Sequence, residues 1–175
     1  LLGKVFGPDV FVIDELSAPL LPLTALIYAL TIVATPKNKQ RRFSFGWNLA
    51  SMGLLLATLS CQDPWAVIVL LSAGVVPPYL ELRARNRPTR VYLIHMTLFV
   101  ALMSIGWALI ELRGESQQHT LWALLPLLIA IFIRSGMAPL HCWMTDLFEH
   151  ATFGTALLFV TPMSGAYAAI RLLLP

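Results

Sequence analysis

The chain has 175 residues, of which 58% are hydrophobic and only 12% are charged, and its net charge is +3 at pH 7. Soluble domains carry a charge on about a quarter of their residues. The composition therefore excludes an ordinary soluble domain and indicates a membrane protein. The basic residues are clustered, which is typical of cytoplasmic loops between spans and not of a nucleic-acid interface. We expect a lipid bilayer around most of the chain and no nucleic-acid partner.

We interpret residues 1–175 as a single membrane domain that is part of a longer chain. The sequence begins "LLGKVFG" and shows no signal-peptide cleavage pattern, and Asp9 interrupts its first residues. Cys61 and Cys142 lie far apart in the sequence and on opposite sides of the bilayer in the topology given below. We therefore expect neither a disulfide nor a metal site built on paired cysteines, and we expect no cofactor.

Long uncharged runs predict an all-α fold, a polytopic bundle of six transmembrane spans. A helix needs about 20 apolar residues to cross the core of a bilayer. Five runs meet or approach this length, and they place spans at about 16–35, 43–62, 64–82, 91–110 and 151–173. The double proline in "SAGVVPPYL" is expected to kink the third span and to free a backbone carbonyl.

The remaining span, at about 120–148, is predicted to be a discontinuous helix. Only 14 uncharged residues precede Arg134, Gly136 and Pro139, which corresponds to about 21 Å of helix at 1.5 Å per residue. A helix that stops inside the bilayer needs protein or water to satisfy its backbone groups. Transporters place ion and substrate sites at such breaks, so this segment is the first candidate for a functional site.

The charges of the loops predict how the spans are oriented. The loops "KNKQRR" (37–42) and "RARNRPTR" (83–90) together carry eight basic residues and no acidic one. Loops of this kind face the cytoplasm. The two loops are separated by two predicted spans, as a common side requires, and we predict that both are cytoplasmic.

Arg134 ends the short apolar run and raises the question of what stabilises its charge. A charge inside a span is costly unless it is paired or hydrated. One interpretation is that the side chain extends to the cytoplasmic headgroups. The other is a buried cation on a hydrated pathway, and the helix break favours it because a break provides room for water.

Further candidates for an ion pathway are His95, His141, Asp146 and Glu81. His95 is either a core histidine bonded to a neighbouring helix or a proton carrier, since imidazole titrates near neutral pH. The spacing of His141 and Asp146 fits no standard set of metal ligands, so we expect no metal site and favour a polar cap over the broken helix. Glu81 either pairs with arginines at the surface or faces inward as a functional carboxylate.

Four motifs taken together resemble a known family: "IDELSAPLLPL", "SAGVVPPYL", "RSGMAPLHCWMTD" and "TALLFVTPMSGAYAAIR". They are similar to the antiporter-like membrane subunits of respiratory complex I, closest to the N-type subunit, and to relatives among cation/proton antiporters and membrane hydrogenases. The resemblance extends over essentially the whole chain. It implies one inverted-repeat half of a fold of about fourteen helices, located in the bacterial inner membrane, with other membrane subunits as partners.

The resemblance also identifies three positions at which family members carry charged relay residues. A glutamate on the double-proline helix pairs with a lysine on the broken helix, and a second lysine on the following helix passes protons on. In this chain Ser72, Arg134 and Met163 take these positions. Only Arg134 keeps a charge, and because an arginine stays protonated in proteins, none of the three can release a proton as such a lysine does.

Two functions follow from the resemblance and from these departures. In the first, which we favour, the chain is a proton- or cation-translocating subunit of a complex I-like assembly, and ions pass by His95, His141 and water with Arg134 as an electrostatic gate. In the second, this half is a non-conducting membrane scaffold, for example with a soluble zinc protein in inorganic-carbon uptake. No nucleophile–base pair indicates a catalytic centre of its own, so at most the chain is a membrane subunit of a NADH:quinone oxidoreductase-type translocase.

Overall fold

The computed structural model describes residues 11–35, 45–113, 121–161 and 163–173, and this part of the chain forms nine α-helices. They are α1 (Ser17–Ala34), α2 (Phe45–Leu59), α3 (Pro64–Gly74), α4 (Val76–Ala84), α5 (Arg90–Arg113), α6 (Leu121–Arg134), α7 (Cys142–His150), α8 (Phe153–Val160) and α9 (Met163–Leu173). An isolated antiparallel bridge joins Phe11 to Cys61. The basic loop at 37–42 lies outside the described residues, as does Asp9.

Four stretches of helix are long and apolar enough to cross a membrane: Ser17–Ala34, Pro64–Ala84, Arg90–Leu112 and Phe153–Leu173. Phe45–Leu59 and Leu124–Arg134 are apolar but shorter. The described chain is therefore a polytopic bundle of helices, and the protein is an integral membrane protein. The prediction of a helical membrane bundle is confirmed, whereas the second predicted span, 43–62, forms a helix only as far as Leu59.

Within the predicted span 120–148, the helix is interrupted after Arg134, and the local sequence explains where the interruption falls. Helix α6 ends at Arg134, and Gly136 has a positive φ of 64°, a conformation that glycine adopts without steric cost. The amide of Gly136 donates to the carbonyl of Ile133, and the amide of Met137 donates to that of Phe132. This pair of bonds is a Schellman motif, which satisfies carbonyls that the end of the helix leaves open.

The predicted span at 64–82 is divided into two helices at the double proline. Helix α3 ends at Gly74, and α4 begins at Val76 with Pro77 and Pro78 in its first turn. Proline cannot donate a backbone hydrogen bond to the preceding turn. The hydroxyl of Tyr92, on α5, donates to the carbonyl of Val75 at 2.9 Å, so a neighbouring helix supplies a donor between the two helices.

The last predicted span, 151–173, corresponds to Phe153–Leu173, a stretch long and apolar enough to cross a membrane. The structure has two helices, α8 and α9, and Thr161 between them is not helical, with ψ at 120°. The helix is interrupted here although the run carries no charge, because Pro162 follows Thr161 in the sequence. A proline disfavours the helical conformation at the residue before it.

The most extensive contact between helices in the described chain joins α5 to α6, and Gly106 permits it. A Cβ atom added at Gly106 would lie 2.7 Å from Cγ of Leu127 and 3.0 Å from its backbone nitrogen. Small residues allow the backbones of membrane helices to approach closely in this way. The α5–α6 pair thus depends on the absence of a side chain at one position.

We expect Gly106→Ala to destabilise the bundle, since the added methyl group forces α5 away from α6. The cost should be about 1–3 kcal/mol, as for other overpacked sites. Thermal unfolding in detergent measures the change. Gly53→Ala on α2 is the matched control, because a Cβ there meets no atom within 4 Å. Equal unfolding temperatures for the two variants would contradict this account of the helix pair.

Three chain segments meet in a polar cluster at one end of the bundle. The guanidinium of Arg171 forms an ion pair with Asp14 and donates through Nε to the hydroxyl of Tyr167 at 3.0 Å. That hydroxyl donates to the carbonyl of Cys61 at 2.7 Å. Ser17 donates to Asp14 from both its amide and its hydroxyl. The cluster ties the start of α1 and the end of α2 to α9.

Desolvation raises the pKa of Asp14. The hydrogen bonds from Ser17 and the positive charge of Arg171 lower it by a larger amount, so the pKa lies below its ordinary value of 3.8. We expect Asp14→Asn to cost roughly 1 kcal/mol at neutral pH. Because the folded-state pKa is depressed, Asp14 contributes its full stabilisation above the unfolded-state pKa. This stabilisation is lost as the pH falls through the folded-state pKa. Unfolding temperatures at pH 7 and at pH 3, with the exposed Glu15→Gln as control, test both statements.

Candidate functional site

Arg134 lies at the helix break with its charge inside the protein. Its guanidinium carbon is 3.9 Å from the centroid of the Phe159 ring, on α8. Its Nη1 atom is buried and has no hydrogen-bond partner among the residues that the structure describes. The three ion pairs found among the described residues involve other groups. The described chain therefore stabilises this cation through an aromatic face and not through a carboxylate.

A small cavity of about 30 Å³ adjoins Arg134. Its walls come from α1, α2, α3, α6, α8 and α9 and from the residue after α8. The lining is Tyr28, Ser51, Leu54, Leu55, Thr58, Leu70, Leu71, Gly74, Arg134, Leu158, Phe159, Thr161 and Ser164. Tyr28 is eleven residues into α1, about 16 Å along its axis. The cavity therefore lies beside the middle part of α1 and not at either of its ends.

Neighbouring helices hold the break in place. The indole of Trp143, which is fully buried on α7, donates to the carbonyl of Ile133 at 2.8 Å. On the other side, α9 approaches so closely that a Cβ at Gly165 would lie 2.7 Å from the hydroxyl oxygen of Ser135. The ring of Phe159 packs edge-on against Trp143, with 5.8 Å between centroids. These contacts fix the end of α6 and therefore the position of Arg134.

Glu81 pairs with an arginine, but its carboxylate is buried, with only 3% of its surface exposed, and does not lie at the protein surface. One carboxylate oxygen, Oε1, accepts from the amide of Thr152 at 3.0 Å and lies 3.2 Å from Nε of Arg85. The other oxygen accepts from the hydroxyl of Thr155. Those threonines belong to the first turn of α8, where a negative charge is favourable. Glu81 thus faces inward and caps a helix.

The remaining sequence candidates lie apart from one another. His95 is partly exposed, and its Nδ1 is 2.8 Å from the carbonyl of Val91 in its own helix, not in a neighbouring one. His141 is exposed in the turn that precedes α7. The Oδ1 atom of Asp146 is 3.3 Å from Nδ1 of His150, and its Oδ2 atom is buried without a hydrogen-bond partner in the described part of the chain. No group of three or more potential metal ligands occurs among the residues described.

Of the two uncharged relay positions, Ser72 is described in full and Met163 only in its backbone. The hydroxyl of Ser72 donates to the carbonyl of Ile68, one turn earlier on α3, at 2.7 Å. Met163 is the first residue of α9, and its side chain lies outside the described residues. The hydroxyl proton of Ser72 is therefore used in a hydrogen bond within its own helix.

Sequence reasoning did not identify the ring that contacts Arg134, Phe159, or the other aromatic residue of its cavity, Tyr28. Phe159 and Tyr28 lie in uncharged apolar runs, where an aromatic residue is ordinarily a lipid-facing or core residue. Nothing in the sequence distinguishes them from the other rings of the chain. Trp143 belongs to the "HCW" motif, but the motif does not indicate that its indole donates to the end of α6.

Comparison with known proteins agrees with the resemblance of the four motifs. A family model described as "NADH:quinone oxidoreductase/Mrp antiporter, TM" matches residues 89–175. The chain belongs to this family. Its relatives include NAD(P)H-quinone oxidoreductase chain 4 of Gloeobacter violaceus, 27% identical, chain 4 1 of Synechococcus elongatus, 29% identical, and chain 4 3 of Trichormus variabilis, 30% identical. No solved structure matches the chain significantly.

Each of these three alignments covers 91% of this chain but only 34% of the relative. The chain thus spans about a third of the length of the curated relatives it matches. The resemblance to antiporter-like membrane subunits, which was based on the motifs, is confirmed at the level of the family.

We expect Glu81→Ala to destabilise the protein by about 1–3 kcal/mol, because it leaves two donors at the start of α8 without their acceptor. Thermal unfolding in detergent measures this loss. Glu149→Ala is the control, since Glu149 is an exposed residue of α7 and its substitution removes the same charge. If the two variants unfold at the same temperature, the carboxylate of Glu81 does not cap α8.

Proposed function

We propose that this protein is a membrane subunit of a complex I-like assembly that translocates protons or cations. The observation that carries the proposal is the position of Arg134, a permanent charge beside a cavity at a helix break in a chain of the antiporter family. Helix breaks within membranes are where transporters place ion sites. The curated relatives named above are quinone oxidoreductase chains, which favours this assembly over an inorganic-carbon transporter.

The proposed fold has six spans. Four are the longer helical stretches, and the other two are α2 and the α6–α7 segment. Contacts at the two ends of the bundle support an arrangement in which successive spans run in opposite directions. At one end, Asp14 before α1 meets Cys61 after α2 and Arg171 in α9 through the polar cluster. Near Cys61 in the chain, Trp65 at the start of α3 donates to Glu111 at the end of α5, at 2.8 Å.

At the opposite end of the bundle, the end of α4 meets the starts of α2 and α8. Glu81 near the end of α4 accepts from Thr152 at the start of α8, and Asn48 at the start of α2 donates to Thr155 at 3.4 Å. Successive helices therefore run in opposite directions, as short connections between spans require. We infer that this second end, which carries the basic loop 83–90, faces the cytoplasm, with other membrane subunits around the bundle.

In this proposal Arg134 acts as an electrostatic gate and not as a proton carrier. A guanidinium does not lose its proton under physiological conditions, so it controls passage by repelling a cation or by orienting water. The exposed His141 lies beyond the break from Arg134, and His95 lies on α5. Glu81 is the inward-facing carboxylate of this half, in place of the uncharged Ser72.

A non-conducting membrane scaffold is the second candidate function. Ser72 and Met163 favour it, because neither side chain can exchange a proton at the positions where the family resemblance implies charged relay residues. Under this alternative, Arg134 serves the fold alone, through its contact with Phe159.

Flux measurements on the whole protein in its assembly, reconstituted in vesicles, distinguish the two functions. We expect Arg134→Ala to change proton or sodium flux at least tenfold, whereas Arg134→Lys, which keeps a positive charge, has a smaller effect. Arg83→Ala removes an exposed arginine and is the control. Assembly is followed in parallel by size-exclusion chromatography. Wild-type flux in an intact Arg134→Ala assembly would overturn the gate, and no flux in the wild-type assembly would favour the scaffold.

A further inference from the structure

We propose that the cavity beside Arg134 binds a small monovalent inorganic anion of the halide class. The proposal concerns the charge balance of the site and holds whether or not this half conducts ions. It starts from a cation that lacks a counter-charge in the described chain. Nη1 of Arg134 is buried without a partner, and the guanidinium lies against the uncharged ring of Phe159.

An uncompensated charge in the interior is costly because the low-dielectric surroundings replace its hydration poorly. A cation–π contact recovers only part of this cost. Water in the cavity can solvate the guanidinium but cannot neutralise it. An anion a few ångströms away does neutralise it, and the attraction between two unit charges is strong where the dielectric constant is low.

No described carboxylate is available for this purpose, since none of them lines the cavity. Glu81 is bonded to the start of α8 and to Arg85. Asp14 pairs with Arg171 at the far end of the bundle, and Asp146 lies beside His150 on α7. The counter-charge therefore has to come from outside the described chain.

The hydroxyl groups of the lining provide hydrogen-bond donors for an anion. Three of them, on Ser51, Thr58 and Thr161, donate to carbonyls one turn earlier in their own helices. The hydroxyls of Tyr28 and Ser164, by contrast, have no hydrogen-bond partner among the described residues, and both residues are buried. Tyr28, Ser164 and Arg134 thus bring two uncommitted hydroxyls and one positive charge to the same cavity.

The size of the cavity limits the class of ligand. A volume of about 30 Å³ suits a group comparable to one or two water molecules. It admits a monatomic anion and excludes a nucleotide or the headgroup of a phospholipid. The rest of the lining is largely aliphatic, including Leu54, Leu55 and Leu158, which favours an anion that gives up its hydration readily.

Halide titration of the full-length protein in detergent tests the site directly. Starting from sodium gluconate at constant ionic strength, chloride or bromide should raise the unfolding temperature of the wild type in a saturable manner, because a ligand that binds only the folded state stabilises it. Arg134→Gln should abolish this rise. The exposed Arg83→Gln should keep it and serves as the charge control.

Two milder variants keep the test decisive if Arg134→Gln fails to fold. Tyr28→Phe and Ser164→Ala each remove one free hydroxyl, and each should raise the bromide concentration for half-maximal stabilisation about three- to tenfold, as the loss of one hydrogen bond does. Ser51→Ala removes a hydroxyl of the same cavity that is already bonded within its helix, and it should leave this concentration unchanged.

A bromide-soaked crystal supplies the structural readout, with an anomalous peak expected between Arg134 and Tyr28. Three results would overturn the proposal. One is an equal effect of gluconate and halides, which indicates ionic strength alone. Another is an unchanged half-maximal concentration in both Tyr28→Phe and Ser164→Ala. The last is a cavity without bromide in which water alone, or a carboxylate from another part of the assembly, contacts Arg134.

Discussion

The interruption of one membrane helix at Arg134 is the constraint on which the site depends. An intact helix hides its own backbone groups from lipid, whereas an interrupted one exposes carbonyls that lipid cannot satisfy. In this protein, neighbouring amides and one indole satisfy carbonyls at the interruption. The Schellman bonds at Gly136 and Met137 satisfy two carbonyls, and the indole of Trp143 reaches the carbonyl of Ile133 as well. The break is thus a built feature of the fold, and it leaves Arg134 at the end of a rigid helix.

Charged side chains join different segments of the chain at the two ends of the bundle. At one end Asp14 and Arg171 form an ion pair that is supported by Tyr167. At the other, Glu81 joins α4 to the start of α8. Each of these charges has a partner, and each also bonds to a different segment of the chain. Arg134 differs from them because it lies between the two ends and contacts an aromatic ring instead of a carboxylate.

The sequence predicts those features that depend on one segment, and it fails where several segments meet. The break at Arg134 was predictable, because glycine and proline interrupt a helix by their own backbone chemistry. The interruption at Thr161 follows from the same chemistry, because Pro162 comes next in the sequence. The burial of Glu81 could not be predicted, because it depends on Thr152, 71 residues away. The contact between Arg134 and Phe159 likewise requires the packed bundle.

An aromatic partner changes what the charge at the break can do. A carboxylate beside a cation titrates, so that the net charge of such a pair depends on pH and on neighbouring protons. The ring of Phe159 has no proton to exchange, and the guanidinium keeps its own. The charge at this site is therefore constant over the physiological pH range. Any change in its effect on ions must come from what occupies the adjoining cavity or from movement of the helices that line it, and not from protonation of the described pair.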